Sequence, residues 1–150
     1  MASSVRFRRA GFAAVALASV FLLAACAPGG GPAEHYAGLP GSEQEEEGGG
    51  HEPENEAGDP VAAWVAQGGQ LAVTLWGSSS CPQVGRDIRV IEPAGEGNTV
   101  AIDLVERPED EVCTMDFAPY TTVFWTPLEV TTTEPLKVEV ADSTVTVPVK

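Results

Sequence analysis

The chain has 150 residues, a formal net charge of −14 at pH 7 and 43% hydrophobic residues. An acidic balance of this size opposes binding to nucleic acid and to anionic lipid headgroups, because both are themselves negative. We therefore expect no nucleic-acid partner, and the length leaves room for one small domain after any export signal.

The amino terminus has the pattern of a bacterial lipoprotein signal. Three arginines lie within the first nine residues, and an uncharged apolar run follows over residues 10–22. That run is too short for a comfortable transmembrane helix, which needs roughly 20 residues. Small residues, Ala24 and Ala25, precede Cys26, so we expect residues 1–25 to be cleaved and Cys26 to carry lipid. The alternative is an ordinary secretory signal cut elsewhere. The expected location is the extracytoplasmic face of a cell membrane, with the chain anchored by lipid.

Residues 26–59 are predicted to form a disordered acidic tether. Residues 27–59 contain nine acidic residues, nine glycines, four prolines and no lysine or arginine. Such a composition buries too little apolar surface to offset the entropy of ordering. A flexible segment of this length spans roughly 30 Å and would hold the domain off the membrane. Cleavage of residues 1–25 leaves 22 acidic and 5 basic residues, a net charge of −17.

Residues 60–150 are predicted to form one β-domain. Apolar side chains recur with a period of two, which is the pattern of half-buried strands, and turn residues separate the runs. About seven strands at this spacing predict an all-β fold, either a small antiparallel β-sandwich of immunoglobulin-like type or a barrel. The clearest runs centre on Leu71–Leu75, 88–90, 100–104, 123–125, 136–140 and 145–149.

The beginning of this domain is ambiguous. Asp59 followed by Pro60 is compatible with the start of a short helix. We favour a first strand over residues 62–66, joined to the next strand through Gly68 and Gly69, because a diglycine suits the positive backbone angles of a tight hairpin.

Two cysteines remain once Cys26 is assigned to lipid. Cys81 and Cys113 form an even pair outside the cytoplasm, which predicts a disulfide. Closing a loop of this length should stabilise the fold by about 3 to 4 kcal/mol. We expect no metal site, because residues 60–150 contain no histidine and two thiols alone do not complete a zinc site.

Catalytic chemistry has little support in the sequence. Ser78–Ser80 sit in a glycine-serine run before Cys81, but the run lacks the final glycine of a nucleophile elbow, and a serine-rich turn is the simpler interpretation. An acidic cluster near Cys113 leaves open a carboxylate-dependent hydrolase or a calcium site, although the EF-hand order is missing. We expect no enzyme activity and no cofactor. The members of the cluster are Glu109, Asp110, Glu111 and Asp116.

Aromatic residues are the other candidates for a binding surface. Exposed aromatic side chains on a sheet stack on sugars or anchor protein partners. We expect most of them in the core and one or two on the surface, and Phe124 must face opposite to its neighbour on a shared strand. The candidate binding aromatics are Trp64, Trp76 and Trp125.

The run Trp76-Gly-Ser-Ser-Ser-Cys81-Pro, together with Cys113-Thr-Met-Asp116, resembles small secreted lipoproteins of unknown function from high-GC Gram-positive bacteria. The resemblance covers most of the chain from Trp64 onward. It implies an exported envelope protein facing the cell wall and brings no known activity.

These observations favour a noncatalytic surface module. We expect a monomeric, lipid-anchored β-domain that binds an envelope protein or a cell-wall component. A structural or accessory envelope spacer, whose acidic tether sets a distance from the membrane, is the first alternative, and a small carboxylate-dependent hydrolase is the second.

Overall fold

The computed structural model describes residues 30–41 and 58–150, and within them eight strands form two four-stranded sheets. In these ranges no helix has the length and apolar character needed to cross a bilayer. The all-β prediction is confirmed. The strands are β1 (Pro32–Ala37), β2 (Val61–Val65), β3 (Gln70–Gly77), β4 (Gly85–Glu92), β5 (Thr99–Leu104), β6 (Ala118–Trp125), β7 (Leu136–Val140) and β8 (Ser143–Val147).

The first sheet has the strand order β1-β6-β3-β2, and all its pairs are antiparallel. The second has the order β4-β5-β7-β8 and contains one parallel pair, β5 with β7. The parallel pair departs from the purely antiparallel prediction. It arises because the chain leaves β5, crosses to the first sheet as β6 and then re-enters the second sheet from the end where β5 began. The described strands close no barrel, so the sandwich is the form adopted.

The core lies between the two sheets. Alternation in β3 places Leu71, Val73 and Leu75 on the inner face, where they meet Phe124 of β6. Phe124 is fully buried and is the largest of the fully buried side chains among the described residues. The second sheet contributes Ile88, Val100, Ile102, Leu136, Val138, Val140 and Val147.

β1 corrects the prediction that residues 26–59 form one disordered tether. Pro32–Ala37 pair antiparallel with β6 and complete the edge of the first sheet. The His35 ring also lies 2.7 Å from the Tyr120 hydroxyl, measured from Nδ1. Backbone pairing of an edge strand requires little apolar burial, which is why the composition gave no sign of it. Residues 1–29, including Cys26, and residues 42–57 lie outside the described residues.

The start of the β-domain is a strand, so the helix alternative is wrong. Val61–Val65 pair with β3, and a short 3-10 turn, Ala66–Gly68, joins the two strands. The predicted positive backbone angle occurs at Gly68, with φ 84°. Ala66 and Gln67 also have positive φ, so the connection is longer than a two-residue hairpin.

The sandwich has two ends, which we name for the residues found there. The Gly30 end is the end at which β1 begins, two residues after Gly30, and it contains the turn after β2, the β4–β5 turn (93–98) and the β6–β7 loop (126–135). The disulfide end contains the β3–β4 loop (78–84) and the β5–β6 loop (105–117). Hydrogen bonds connect the loops within each end: Thr126 N donates to Gly69 O at the first, and Val105 N donates to Val84 O at the second.

Candidate functional site

The predicted disulfide is confirmed. Cys81 and Cys113 are joined with an S–S distance of 2.08 Å and a Cα–Cα distance of 5.6 Å, which is within the usual range for a disulfide. Cys81 is buried and lies in the β3–β4 loop, whereas Cys113 lies in loop 105–117. The bond therefore fastens the longest described loop of the chain to the neighbouring connection.

Loop 105–117 is also held by hydrogen bonds to the serine turn. The backbone amide of Thr114 donates to Ser80 Oγ at 2.9 Å, and the hydroxyls of Ser78 and Thr114 are 2.8 Å apart. Near the start of the loop, the Arg107 guanidinium donates to the backbone carbonyl of Cys81. The serine hydroxyls thus contact the loop, in keeping with the interpretation of this run as a turn.

Asp116 closes the same network. Its Oδ1 accepts the backbone N–H of Ser79 at 3.0 Å and a hydrogen bond from the Thr114 hydroxyl. Hydrogen bonds from Ser79 and then Thr114 favour the charged carboxylate and hold the pKa of Asp116 well below its usual value of 3.8. Asp116 is therefore ionised at any pH near neutrality.

The loop presents apolar side chains to solvent. Val112 is 94% exposed, Met115 is fully exposed, Phe117 is 61% exposed, and Val105 is 47% exposed. An apolar group of this kind on an ordered surface is typical of sites that contact another molecule. The same loop also carries five carboxylates: Glu106, Glu109, Asp110, Glu111 and Asp116.

The three tryptophans do not form one surface. Trp64 is half-buried against the core, and its Nε1 donates to the backbone carbonyl of Pro148 at 3.0 Å. Trp76 is also half-buried, near the disulfide end of β3. Trp125 is 52% exposed, while Phe124 beside it is buried, so the predicted opposite orientation of that pair is confirmed. Of the three, Trp125 is the exposed aromatic.

The acidic cluster does not provide a set of metal ligands. Among the described residues, one group of potential ligand atoms lies within 4.8 Å, formed by Cys81, Glu111 and Cys113. Both sulfurs are in the disulfide and are not thiolates, which are the form of cysteine that binds metal. The Glu111 carboxylate is then the single potential metal ligand left in this group.

A groove of about 530 Å³ lies between the edge strands β2 and β8. One carboxylate, Asp59, is present in its lining, together with hydroxyl groups from residues 143–146 and apolar side chains. The groove therefore lacks the pair of carboxylates that glycoside hydrolysis requires.

The exposure of Val112 and Met115 in loop 105–117 was not predicted. Val112 and Met115 flank Cys113 in a segment rich in charge, without the alternation that identifies strands. The available signal was this interruption of an acidic run by apolar residues beside a disulfide cysteine. Their exposure depends on how the disulfide orients the loop, which is a property of the folded chain.

Comparison of the chain with protein-family models, with curated proteins and with solved structures gave no significant match. The resemblance to small lipoproteins of high-GC Gram-positive bacteria therefore stays a prediction.

Proposed function

We propose that the protein is a lipid-anchored envelope protein whose β-sandwich is a noncatalytic binding module, and that it binds a basic protein at the disulfide end. The main support for this proposal is the set of exposed apolar side chains on loop 105–117. The exposed Val112, Met115 and Phe117 stand on a loop held by a disulfide and by hydrogen bonds. Apolar side chains that are already ordered lose little entropy on binding, which favours their use as contacts.

The charge of the loop supports a basic partner. Its five carboxylates and single arginine give a net charge of −4 on the loop that carries the apolar side chains. A positive surface would be attracted over a distance of about 8 to 10 Å at physiological salt. The apolar contacts would then supply the short-range affinity, while the carboxylates select against acidic competitors.

The alternatives have less support from the contacts. A spacer function requires residues 26–59 to act as one tether, whereas β1 lies in the first sheet. A hydrolase requires a carboxylic acid that stays protonated near neutral pH. Within the acidic cluster, Asp116 has its pKa moved in the opposite direction.

The test is site-specific photo-crosslinking of the full chain in the cells that naturally express it. The photoreactive residue p-benzoylphenylalanine replaces Met115 in one variant. In the matched control it replaces Glu139, an exposed residue on β7. We expect a discrete protein adduct from position 115 and none of the same mass from position 139.

A second substitution distinguishes specific contact from proximity. Val112→Ser removes an apolar side chain that is 94% exposed, so the fold should be unaffected and the adduct from position 115 should weaken. Purified partner should bind less tightly as ionic strength rises. Equal adducts from positions 115 and 139, or an adduct that is insensitive to Val112→Ser, would contradict the proposed surface.

A further inference from the structure

The connection between Cys26 and the first sheet is short, and its length limits how the β-sandwich can be oriented relative to a membrane. The Ile88 amide donates to Gly30 O at 2.9 Å, so the chain is already attached to the sandwich at Gly30. Four residue steps separate Gly30 from Cys26, and they reach at most about 14 Å when fully extended. If Cys26 carries the lipid anchor, Gly30 lies within that distance of the headgroups, and the end of the sandwich at which β1 begins is the end nearest in sequence to the anchor.

The Gly30 end also presents apolar side chains. Pro32 pairs with Phe124, which places the neighbouring Trp125 beside the point where the chain enters the fold. Trp125 is 52% exposed, and Leu128 in the following loop is 98% exposed. Tryptophan is favoured at the interface between lipid and water because its ring is apolar while its N–H remains able to bond to headgroups or water. Ile91 and Val149, at 45% and 51%, are also exposed near this end.

The loop that carries Leu128 is ordered. Asn98 is buried, with 1% exposure. Its side chain donates to Thr131 O at 3.0 Å and accepts the Thr131 amide at 3.0 Å. The Ala94 amide donates to Glu129 O at 2.8 Å. These bonds hold the loop that carries Leu128 against the β4–β5 turn, so Leu128 is exposed on an ordered segment three residues after Trp125.

From the length of the connection and these exposed side chains we propose that the Gly30 end rests on the bilayer, with Trp125 and Leu128 in the headgroup region. The inference rests on the proposed lipid anchor at Cys26. Glu96 and Glu129 at the same end are acidic, so they oppose unassisted binding to anionic lipid. Attachment through Cys26 supplies the high local concentration that makes a weak contact effective.

The test uses the mature lipidated chain in phosphatidylcholine vesicles that contain phosphatidylcholine brominated on its acyl chains, because bromine quenches nearby tryptophan fluorescence. We expect the wild-type protein to be quenched and Trp125→Phe to lose most of that quenching. The matched control is the double variant Trp125→Phe with Phe117→Trp, which moves the exposed indole to the disulfide end. It should be quenched no more than Trp125→Phe alone.

A third variant tests the short connection. A flexible insertion of about 20 residues between Pro28 and Gly29 allows the sandwich to move roughly 25 Å from the anchor, so quenching of Trp125 should fall. Undiminished quenching in that variant, no loss in Trp125→Phe, or strong quenching of the indole at position 117 would each overturn the inference.

Cosedimentation with the vesicles separates this inference from the proposed function. Anchored protein whose Trp125 is not quenched would overturn the orientation and leave the anchor intact. A mature chain that carries no lipid and does not sediment with vesicles would overturn the anchor, and the orientation would fail with it.

Discussion

Gly85 of the second sheet lies close against the Phe124 ring of the first sheet. A Cβ atom at Gly85 would lie 2.5 Å from Cζ of the Phe124 ring. The Gly85 amide also donates to Thr122 Oγ1 at 3.0 Å. The absence of a side chain thus allows both a buried aromatic ring and a hydrogen bond between the sheets.

We expect Gly85→Ala to lower the free energy of unfolding by about 1 to 3 kcal/mol, because the added methyl group displaces a ring in a packed core. Gly31→Ala is the matched control, since a Cβ there meets nothing within 4 Å, and its effect should stay within about 0.5 kcal/mol. Urea unfolding followed by fluorescence measures both. Equal effects of the two substitutions would contradict the close approach.

Asp116 gives the disulfide end a stability that depends on pH. Its pKa is lower in the folded chain than the usual 3.8, so its contribution is complete above that value and is lost as the pH falls below it. The difference in melting temperature between wild type and Asp116→Asn should therefore be largest near neutral pH. It should shrink steadily from about pH 4 downward, as measured by thermal unfolding across a pH series.

Glu109→Gln is the control for this experiment. Glu109 is an exposed carboxylate of the same loop, and the described residues show no hydrogen bond to its side chain. Its substitution should change the melting temperature little at any pH. A pH-independent gap for Asp116→Asn would show that the hydrogen bonds to Ser79 and Thr114 do not depend on the charge.

At the scale of elements, local patterning predicted seven of the eight described strands. Alternation such as Leu71, Val73 and Leu75 identifies a strand because every second side chain enters the core. β1 was not predicted from the sequence because five of its six residues are exposed and its stability comes from pairing with β6. The parallel β5–β7 pair was also not predicted, because contacts between distant segments determine it and local patterning does not show them.

The candidate site likewise combines features that the local sequence predicts with features that depend on the fold. The pairing of Cys81 with Cys113 could be predicted from the number of cysteines and the expected compartment. The exposure of Trp125 could not be predicted from the sequence. Alternation shows that Phe124 and Trp125 face opposite ways, but it does not show which of the two faces the core.

We expect removal of the disulfide by Cys81→Ala with Cys113→Ala to lower the free energy of unfolding by about 3 to 4 kcal/mol, because the unfolded chain regains the freedom of a loop closed across a 32-residue separation. Urea unfolding of the double variant and of the oxidised wild type measures the difference. Alkylation under denaturing conditions should find no free thiol at either position in the wild type. Two labelled cysteines, or unchanged stability, would contradict this.

β1 should be an integral part of the folded unit. A chain truncated to residues 58–150 lacks β1 and exposes the edge of β6, so its urea midpoint should fall below that of a chain that begins at residue 27. A synthetic peptide of residues 30–41, added in excess, should raise the midpoint again by binding the folded form. Equal midpoints of the two chains would show that β1 contributes no stability.

At the scale of the whole molecule, exposed large apolar residues gather at the two ends. Of the eight among the described residues, four lie at the disulfide end and four at or near the Gly30 end. Under the proposals above, one end faces the membrane while the other faces a protein partner.

Cys26→Ser tests the anchor on which that orientation depends. A serine cannot accept the thioether-linked lipid, so the variant should be released into the medium or remain an unprocessed precursor. Fractionation of cells, followed by mass determination of the amino terminus, distinguishes these results from wild-type behaviour. A processed variant that stays in the membrane would contradict the anchor.

The pairing of β1 with β6 also has a consequence for the order of folding. Pro32 and Phe124 are partners, yet more than half of the chain separates them, so β1, the first of the described strands to be synthesised, is among the last to find its neighbour. Until β6 has been synthesised, β1 has no partner among the described strands, and the contact open to this segment is the hydrogen bond from the Ile88 amide of β4 to Gly30 O.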